Sequence, residues 1–557
     1  MQEYPRFPNL AAMMLALARA WPDRPMLRHY CDGAWHSLTW GEFGRRTASA
    51  AHRLRELGIS AGDRVVIVAD NRPDYSIAEV ALMAIRAVPV PTYTTNTRAD
   101  HAHVLRDCGA RAAIGGTPAQ AAALADAAAL AGGLDLLLVM DGQEWAAITG
   151  GEVSVDALAA EADRIPGGAL ACLIYTSGTG GAPKGVMLPH AAILSNCAGA
   201  FELLRLLPIG NDVYLSFLPL CHSFEHTVGQ YFLPSIGAEI VYSRGVEHLA
   251  TDMTTIRPTM MTVVPRVLEA IHGRVLAQLA RQPAWRRILF DLALTIGLKR
   301  LDRAALSLAE RLADPLLDRL VRQKLRDRFG GRLKGVMSGG ARLEPELGRF
   351  FLALGILVLQ GYGQTEAGPV ISANPPQAIR IDTVGPLLQG VELRIAEDGE
   401  ILVRGELVMA GYWGQPEATA AAIRDGWLHT GDIGVLDPDC YLRITDRKKD
   451  MIVLSGGDNI APARVEGMLV AEPEIAQAVV LGDGKPAVSA LLVAADGCDI
   501  AAVARAVARV NARLSVTERV RHHVVVEAFT LANGLLTPTL KIRRRAVMER
   551  FGREIAG

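Results

Sequence analysis

The 557-residue chain has almost no net charge and few aromatic side chains. Its 58 Lys and Arg residues oppose 59 Asp and Glu residues, the formal net charge is −1, and aromatics make up 5%. A chain without a basic surplus provides no global field that attracts nucleic acid, and a base-stacking surface needs aromatic rings. The composition therefore argues against a nucleic-acid partner.

Disulfide frameworks and membrane spans are also missing from the sequence. The seven cysteines are scattered, odd in number and include no CxxC pair, which favours a reducing compartment and inert thiols. No basic segment leads into an apolar run at the N-terminus, and no apolar stretch approaches the roughly 18 residues of a membrane-spanning helix. We expect a cytoplasmic protein whose membrane contact, if any, is peripheral and at the inner face.

Alternating helix and strand patterns are present in the N-terminal part. Helical periodicity over 40–57 and 76–86 alternates with apolar runs typical of strands over 63–70 and 88–93. This alternation is typical of a layered α/β domain with a mostly parallel sheet, and the length requires more than one domain. We interpret residues 150–168 as a weakly patterned connection.

The pattern changes in the C-terminal part. Beyond residue 380, short strands are predicted at 391–395, 401–404 and 434–444, and a further change follows Asp446. The predicted fold class is α/β, with a large N-terminal domain of several subdomains and mostly parallel sheets over 1–446. A small C-terminal α+β domain is predicted over 447–557.

Residues 281–334 form long helical patterns that are rich in basic side chains. The segment contains 14 Lys or Arg and 6 Asp or Glu. The plain interpretation is a solvated basic face, and the alternative is contact with anionic lipid headgroups or a polyanionic substrate. The sequence leaves both open, and it also leaves the oligomeric state open, a homodimer being one option.

A glycine-rich segment at 173–186, LIYTSGTGGAPKGV, has the chemistry of a phosphate-binding loop. Small residues let backbone N–H groups approach phosphate oxygens, and an apolar strand precedes the turn. Pro183 and Gly185 flank the lysine and depart from G-x-x-x-x-G-K-[ST], so a standard P-loop NTPase is disfavoured. Side-chain donors and a positive charge are supplied by Thr176, Ser177, Thr179 and Lys184.

This loop resembles the phosphate-loop signature of the acyl-adenylate-forming, or AMP-binding, superfamily. Six further segments resemble that family's motifs in the family's order, so the resemblance covers most of the chain. They are LPLCH (218–222), MSGGARL (337–343), QGYGQTE (360–366), TGDIG (430–434), DRKKD (446–450) and LKIR (540–543). Segments such as TVVPRVLEAI (262–271) and SGGDNIAP (455–462) are most similar to long-chain fatty acyl-CoA synthetases.

The resemblance implies a set of site residues. Tyr362 would stack on adenine, Asp432 and Arg447 would bind the ribose, and Lys449 would be the pivot of a hinge carrying a mobile C-terminal domain. Catalytic roles are implied for Lys541, Lys184, Glu366, Thr176 and His222, with Thr176 and Glu366 as Mg²⁺ ligands. Cofactor-binding roles are implied for Thr176, Ser177, Gly178, Thr179, Gly180, Lys184, Gly340, Ala341, Gln360, Gly361, Tyr362, Gly363, Thr365, Asp432, Arg447, Lys449, Ser455, Gly456 and Gly457.

The implied activity is ATP-dependent ligation of a long-chain fatty acid to coenzyme A through an acyl-AMP intermediate. ATP, Mg²⁺ and coenzyme A are the implied cofactor and co-substrates. Alternatives are a fatty acyl-AMP ligase that loads an acyl carrier protein, a ligase for medium-chain or aromatic acids, and a non-catalytic nucleotide or lipid binder. Two positions depart from the family pattern: Gly180 replaces a Thr of the loop, and Arg342 replaces a common Pro.

The segment from His222 to His226 also fits H-x-x-E-H, a zinc-peptidase pattern. Two histidines four residues apart on a helix can face one metal ion. The resemblance favours another interpretation, in which His222 orients the substrate carboxylate and His226 is structural. A further alternative makes His222 an ordinary core histidine.

Overall fold

The computed structural model describes residues 3–176, 182–456, 458–530, 532–536 and 542–555. Its contacts divide the chain into two compact units. The first comprises Met1–Thr176, Pro183–Glu392 and Val403–Leu428, and the second Ser177–Ala182, Leu393–Leu402 and His429–Gly557. The boundary that we place between residues 446 and 447 stays a prediction.

Helices and strands are distributed over both units. The α-helices are α1 (Leu10–Ala20), α2 (Trp40–Glu56), α3 (Pro73–Ala84), α4 (Arg98–Cys108), α5 (Pro118–Ala128), α6 (Gln143–Thr149), α7 (Val155–Ala162), α8 (His190–Leu204), α9 (Ser223–Glu225), α10 (Leu233–Ser235), α11 (Leu249–Ile256), α12 (Pro265–Ala280), α13 (Ala284–Leu301), α14 (Leu308–Leu317), α15 (Gln323–Arg328), α16 (Pro345–Ala353) and, further on, α17 (Pro416–Ala422), α18 (Pro462–Val470), α19 (Ile500–Asn511) and α20 (Arg544–Ile555). Two π-helical segments (His226–Phe232, Asp318–Arg322) and two 3₁₀ turns (Val246–His248, Thr365–Ala367) complete the helical elements described.

The strands, in chain order, are β1 (Pro25–Cys31), β2 (Ala34–Thr39), β3 (Arg64–Val68), β4 (Val88–Pro91), β5 (Ala112–Gly115), β6 (Leu136–Val139), β7 (Leu170–Thr176), β8 (Lys184–Pro189), β9 (Val213–Ser216), β10 (Glu239–Tyr242), β11 (Met260–Val263), β12 (Gly335–Ser338), β13 (Val358–Gly363), β14 (Val370–Ala373), β15 (Glu392–Ile395), β16 (Glu400–Arg404), β17 (Gly411–Tyr412), β18 (Ile423–Arg424), β19 (Trp427–Leu436), β20 (Leu442–Arg447), β21 (Ile452–Val453), β22 (Asn459–Ile460), β23 (Ile475–Leu481), β24 (Val488–Ala494) and β25 (Val520–Val525).

The largest sheet has eight strands in the order β14-β13-β12-β11-β9-β10-β1-β2. Its six inner strands run parallel, and the edge strands β14 and β2 are antiparallel. A second sheet, β4-β3-β5-β6, is parallel throughout. The predicted α/β class with mostly parallel sheets is therefore confirmed for the first unit.

Parallel register brings several carboxyl strand ends to one edge of the large sheet. Ser338 at the end of β12 pairs with Gln360 in β13, and Val263 at the end of β11 pairs with Ser338. Ligands of open α/β sheets bind outside the carboxyl ends of the strands. The loops after β11, β12 and β13 are thus the region in which to look for a site.

A smaller antiparallel sheet, β17-β8-β7, carries the glycine-rich loop. Thr176, the last residue of β7, pairs with Lys184, the first of β8, and Tyr412 in β17 pairs with Val186. The side chains of β7 are almost all buried, and Leu173 and Tyr175 join the core of the parallel sheet β4-β3-β5-β6. This core fixes the base of the loop.

Two expectations about local structure are wrong. Residues 150–168 contain α7, because Ser154 caps the helix by accepting from the Ala157 N–H and because Leu158, Ala159 and Ala162 are buried. Residues 434–444 are not one strand: β19 ends at Leu436 and β20 begins at Leu442. The turn between them is closed by Asp437, whose carboxylate accepts from the Tyr441 N–H at 2.9 Å.

The basic segment is helical, as predicted, over α13, α14, the π-helical segment and α15. Ser307 and Glu310 form a capping box at the start of α14. Buried Ala293 and Ile296 of α13 pack against Leu317 of α14. Among the residues described, no helix is both long and apolar enough to span a membrane.

The second unit contains a mixed sheet, β23-β24-β25, with helices packed on it. β23 and β24 are antiparallel, and β24 and β25 are parallel. Its core joins strand residues such as Val480 and Leu492 to Leu469 of α18 and Val507 of α19. This is the small α+β architecture expected for the C-terminal part.

Candidate active site

Lys184 and Tyr412 meet because three short strands are in register. Tyr412 lies opposite Val186, and side chains two residues apart on a strand share a face, so Lys184 is its diagonal neighbour. The Lys184 ammonium lies 4.8 Å from the centre of the Tyr412 ring. A cation at this distance from an aromatic face is attracted by the ring quadrupole. The lysine is thereby held beside the base of the glycine-rich loop.

The Tyr412 hydroxyl connects this lysine to Glu366. It donates a hydrogen bond to Glu366 Oε1 at 3.0 Å. Burial, and after it the nearby Glu366 carboxylate, raises the pKa of Tyr412, so the phenol keeps its proton and remains a donor. Among the described residues no ion pair joins Lys184 to Glu366, and Tyr412 lies in contact with both.

Glu366 follows β13 in the 3₁₀ turn Thr365–Ala367, which is fastened on two sides. Its carbonyl accepts from the Met409 N–H at 2.9 Å, and the Thr365 hydroxyl lies 2.9 Å from that of Ser223. Asn196 of α8 accepts from the Val370 N–H at 2.7 Å and donates to the Ala367 carbonyl at 3.3 Å. The predicted pair Thr365 and Glu366 is thus held at the carboxyl end of β13.

The predicted residues of β13 lie on a strand that has no room for side chains at its glycines. A Cβ at Gly363 would lie 1.8 Å from the Pro369 carbonyl oxygen, and one at Gly361 would lie 3.3 Å from that of Ser372. Gln360 is buried, whereas Tyr362 between the glycines is half-buried. The glycines let β14 approach closely and leave Tyr362 as the large side chain at this edge.

Gly340 and Ala341 are exposed at the carboxyl end of β12. Gly340 has a φ of +79°, a left-handed conformation that favours glycine. A Cβ on the preceding Gly339 would lie 3.1 Å from the ring of Phe224. The turn after β12 therefore lies against the start of the helix that follows His222.

His222 precedes that helix and is not within it. Its backbone is extended, and its Nδ1 accepts from the Phe224 N–H at 3.3 Å. Asn71, after β3, holds the preceding segment by donating to the Leu218 carbonyl at 2.7 Å and accepting from the Leu220 N–H at 3.0 Å. The LPLCH segment is thus anchored at Leu218 and Leu220.

The two histidines do not have the arrangement that the zinc-peptidase alternative requires. His226 is buried at the start of a π-helical segment, and its Nε2 lies 2.6 Å from the Glu79 carboxylate. Glu225 is also buried, and it accepts hydrogen bonds from the hydroxyls of Tyr214, Ser216 and Thr262 at 2.6 Å each. Within the described ranges no group of three His, Cys, Asp or Glu could hold a metal ion.

The pKa of Glu225 differs from that of an ordinary glutamate. Burial raises the pKa of this carboxyl to about 7, although the three hydroxyl donors oppose the change. Glu225 holds together β9, which carries Tyr214 and Ser216, and β11, which carries Thr262. Glu225 therefore has a structural role within these strands. A structural role is also what we expected for the neighbouring His226.

In the second unit, Asp432 and Arg447 are partners across one hairpin. They pair directly in β19 and β20, and Arg447 Nε lies 3.1 Å from Asp432 Oδ1. Asp432 is buried and Arg447 is exposed. The carboxylate and the guanidinium that we expect at the ribose therefore adjoin one another.

Lys448, which was not among the predicted site residues, forms two ion pairs from the DRKKD segment. Its ammonium lies 2.5 Å from Asp398 and 2.9 Å from Glu400. Burial raises the pKa of Glu400, but the hydrogen bonds from Lys448 and from the Gly431 N–H outweigh it and hold the pKa below its usual value. Lys449 is exposed and has no ion pair among the described residues.

The remaining predicted residues divide into two groups. Ser455 and Gly456 are exposed in the turn after β21, where the Ser455 N–H donates to the Lys485 carbonyl at 2.9 Å. The others lie outside the described residues, and their assignments stay predictions. They are Ser177, Gly178, Thr179, Gly180, Gly457 and Lys541.

Several contact residues had no place in the predicted set. Tyr412, Ser223, Asn196 and Asn71 hold none of the motif positions to which the resemblance assigns a role. A usable signal existed for Tyr412, because Gly411 and Gly414 bracket it and Gly411 has a φ of +137°. An aromatic residue between two glycines in a turn is a reasonable candidate for a site residue.

The donor set fits Mg²⁺. This ion commonly binds one or two protein carboxylates together with substrate phosphates and water, and it does not need an all-protein cage. Glu366 is half-buried, with one oxygen oriented by Tyr412, and Thr176 ends β7 beside Lys184. One carboxylate and one hydroxyl are therefore available at the base of the loop.

Comparison with known proteins identifies the family to which this chain belongs. One family model, described as AMP-binding enzyme, matches residues 16–413, and another, described as AMP-binding enzyme C-terminal domain, matches residues 449–557. The long-chain-fatty-acid–CoA ligase FadD15 of Mycobacterium tuberculosis is 33% identical over 580 residues, which cover 98% of this chain and 96% of that protein. Long-chain-fatty-acid–CoA ligase 5 of Mus musculus is 30% identical, with 89% and 80% covered.

Solved structures share the fold. ATP-bound MatB from Rhodopseudomonas palustris matches with a TM-score of 0.73 and 22% identity, covering 98% of this chain and 99% of that one. At this level of identity the likeness concerns the chain's architecture.

Proposed function

Because this chain belongs to the AMP-binding enzyme family, we propose that it joins a long-chain fatty acid to coenzyme A through an acyl-AMP intermediate. The observation that carries the proposal is the 33% identity to a long-chain-fatty-acid–CoA ligase over 98% of this chain. The contacts among Lys184, Tyr412 and Glu366 support it, since they assemble charged groups beside a glycine-rich loop. The expected location is the cytoplasm.

The first step activates the fatty acid. A carboxylate oxygen attacks the α-phosphorus of ATP, an O–P bond forms, and the bond to pyrophosphate breaks. Charge accumulates on phosphate oxygens, so catalysis depends on positioning and on electrostatic stabilisation. Lys184 supplies positive charge at the loop, and the loop's N–H groups supply donors.

Glu366 and Thr176 are the groups proposed to hold Mg²⁺. When bound there, Mg²⁺ would neutralise negative charge on the phosphates. Tyr412 orients the Glu366 carboxylate through its hydroxyl and holds the Lys184 ammonium against its ring. In this arrangement the ammonium and the carboxylate do not form an ion pair with each other. Asp432 and Arg447 are proposed to bind the ribose.

The second step transfers the acyl group to a thiol. The sulfur of coenzyme A attacks the acyl carbon and the thiol proton is released to solvent, a C–S bond forms, and AMP leaves with the electrons of the C–O bond. His222 is proposed to orient the carboxylate in the first step, and Ser455 and Gly456 to line the path of coenzyme A. Exclusion of water at this stage protects the acyl-adenylate from hydrolysis.

The deciding experiment measures pyrophosphate release over a panel of acids, with and without coenzyme A. We expect release with long-chain acids and formation of acyl-CoA and AMP when coenzyme A is added. If only an acyl carrier protein accepts the acyl group, the enzyme is an acyl-AMP ligase that loads that carrier. If an aromatic acid is preferred, the substrate is not a fatty acid. If no acid causes release of pyrophosphate, the protein is a non-catalytic binder.

Lys541 provides a second test, because the two half-reactions can be measured separately. Lys541→Ala is expected to slow acyl-AMP formation while thioester formation from supplied acyl-AMP continues at its normal rate. The second half-reaction is the internal control for folding. Equal loss of both half-reactions would remove the proposed role in adenylation.

A further inference from the structure

Helices α13 and α14 leave large apolar side chains in solvent. Leu308, Leu312, Leu316 and Leu320, which we call the leucine stripe, recur every four residues and are between 39% and 74% exposed. On α13, Trp285, Ile288 and Leu292 are between 37% and 64% exposed at the same kind of spacing. Scattered apolar residues are normal on a surface, but a contiguous set marks an interaction site.

These faces cannot turn inward, because the opposite faces are already packed. A Cβ at Gly297 would lie 2.1 Å from the Ala353 carbonyl oxygen, so α13 lies in direct backbone contact with α16. Ala293 and Ile296 of α13 and Leu317 of α14 form the buried side between the two helices. The stripe is therefore the outer face of a fixed helical pair.

Four of the six acidic side chains of this segment form ion pairs, three of them within it. Asp314 pairs with Arg322 at 2.8 Å, Asp318 with Arg326 at 2.7 Å, and Glu310 with Lys299 at 2.5 Å. Asp302 pairs with Arg349 at 2.8 Å. Asp291 and Asp327 form no ion pair in the part of the chain that the structure describes, and Asp327 accepts a hydrogen bond from the Gln323 amide at 2.8 Å.

The basic side chains are in surplus at the surface. Nine exposed cations form no ion pair with any described residue, and two of them, Arg311 and Arg319, are on the same helical stretch as the leucine stripe. The nine are Arg281, Arg286, Arg287, Arg303, Arg311, Arg319, Lys324, Arg328 and Arg332. The surface thus combines an apolar stripe with unneutralised positive charge.

We propose that the outer face of α13 and α14 docks on an anionic lipid bilayer, with the leucine stripe at the boundary between headgroups and acyl chains. Helices that lie in a membrane interface combine an apolar face, basic residues and interfacial Trp. A second copy of this chain is the poorer occupant, because a two-fold contact would set the same cations against each other. The proposal concerns a surface outside the catalytic groups and does not depend on the ligase activity.

The test measures binding of the full chain to vesicles by sedimentation. We expect binding to phosphatidylcholine vesicles that contain phosphatidylglycerol, weaker binding without it, and a decrease as salt rises. Leu312→Gln with Leu316→Gln should weaken binding about tenfold or more, since it removes apolar contact. Arg311→Gln with Arg319→Gln should weaken binding to anionic vesicles by roughly tenfold and flatten the salt dependence.

The matched control is Leu206→Gln with Val246→Gln, which changes two apolar residues that are 70% and 66% exposed elsewhere in the first unit. The control should bind as the wild type does, and all variants should keep the wild-type unfolding temperature. The proposal is overturned if the wild type ignores anionic vesicles, or if the control and the stripe variant lose binding equally. It is also overturned if the stripe variant only converts a dimer to a monomer with vesicle binding unchanged.

Discussion

The candidate residues of the first unit come from distant parts of the chain, whereas those of the second unit meet within one hairpin. Lys184, Tyr412 and Glu366 are joined by contacts across three separate segments. Asp432 and Arg447 are direct cross-strand partners in β19 and β20. The first arrangement requires the folded sheets, while the second requires only correct strand pairing.

This difference has consequences for function. Groups assembled over long range lose their geometry when any supporting contact is removed, so single substitutions there should be costly. A pair set by hairpin register is supported by backbone hydrogen bonds that side-chain changes leave intact. Variants of the first unit should therefore have larger effects than those of the second.

Glu366→Gln tests the comparison with the largest expected effect. The variant keeps an acceptor for the Tyr412 hydroxyl but removes the negative charge at the proposed Mg²⁺ position. Pyrophosphate release should fall about 1000-fold, by analogy with removal of one preorganised electrostatic group. The Mg²⁺ concentration for half-maximal rate should rise, as measured by a titration of the adenylation rate.

The matched control for this variant is Glu346→Gln on α16, where the same charge is removed from a side chain that is 82% exposed. It should have wild-type kinetics. An unchanged Mg²⁺ requirement in Glu366→Gln would take Glu366 out of the metal site and weaken the contrast between the units.

Glu225 tests the same contrast through stability. Its pKa in the folded state is about 7, above the reference of 4.5. Between these values the folded state keeps a proton that the unfolded state has lost, so the free energy of unfolding should decrease as pH rises through this window and level off above it. The decrease should amount to about 3 kcal/mol, since each unit corresponds to about 1.4 kcal/mol.

Glu225→Gln should remove this contribution. Denaturant unfolding at several pH values would compare the variant with the wild type and with Glu247→Gln, an exposed glutamate as control. Parallel stability curves for Glu225→Gln and wild type would mean that the buried carboxyl does not hold a proton in this range.

Tyr412→Phe should have an intermediate effect. The ring that attracts Lys184 stays, but Glu366 loses its hydrogen-bond donor, so the KM for Mg·ATP should rise about tenfold with a smaller change in kcat. Tyr30→Phe is the matched control, because the Arg244 guanidinium lies 5.0 Å from that ring and Glu366 is not involved. A KM identical to that of the wild type would mean that the hydroxyl does not orient Glu366.

Sequence patterns predicted the parts of this molecule that depend on local chemistry. Glycine-rich motifs single out Thr176 and Lys184, which end β7 and begin β8, and the family resemblance singles out Thr365 and Glu366 after β13; their roles stay predictions. The helices of 281–334 were found from their periodicity. The contacts of the two lysines were not predicted. Lys448 and Lys449 are adjacent and alike in sequence, and the pairing of β19 with β20 decides which of them reaches Glu400.

Tyr412 was missed for a related reason. Its role depends on the antiparallel pairing of β17 with β8, which are separated by more than 200 residues in the chain. No periodicity within either segment specifies that pairing. The helix α7 was missed because its buried face consists mainly of small alanines, whose apolar signal is weak.

Lys448→Met tests the second unit and should have the smallest effect. It removes contacts with Asp398 and Glu400, but the lysine side chain is 46% exposed, so solvent and salt screen the pairs. The free energy of unfolding should fall by less than about 1 kcal/mol, with the difference shrinking as salt is added. Equilibrium unfolding at low and high salt measures both quantities.

Lys449→Met is the matched variant, since it removes the same charge one residue further along. Lys449 has no ion pair among the described residues, so its loss should leave stability unchanged. If it is the proposed pivot, the variant should instead change the ratio of the rates of adenylation and thioester formation. In the reverse outcome, Lys448→Met would alter that ratio and Lys449→Met would lower stability. That result would assign the pivot to Lys448. It would also show that the register of the hairpin in the second unit affects turnover more than its local contacts suggest.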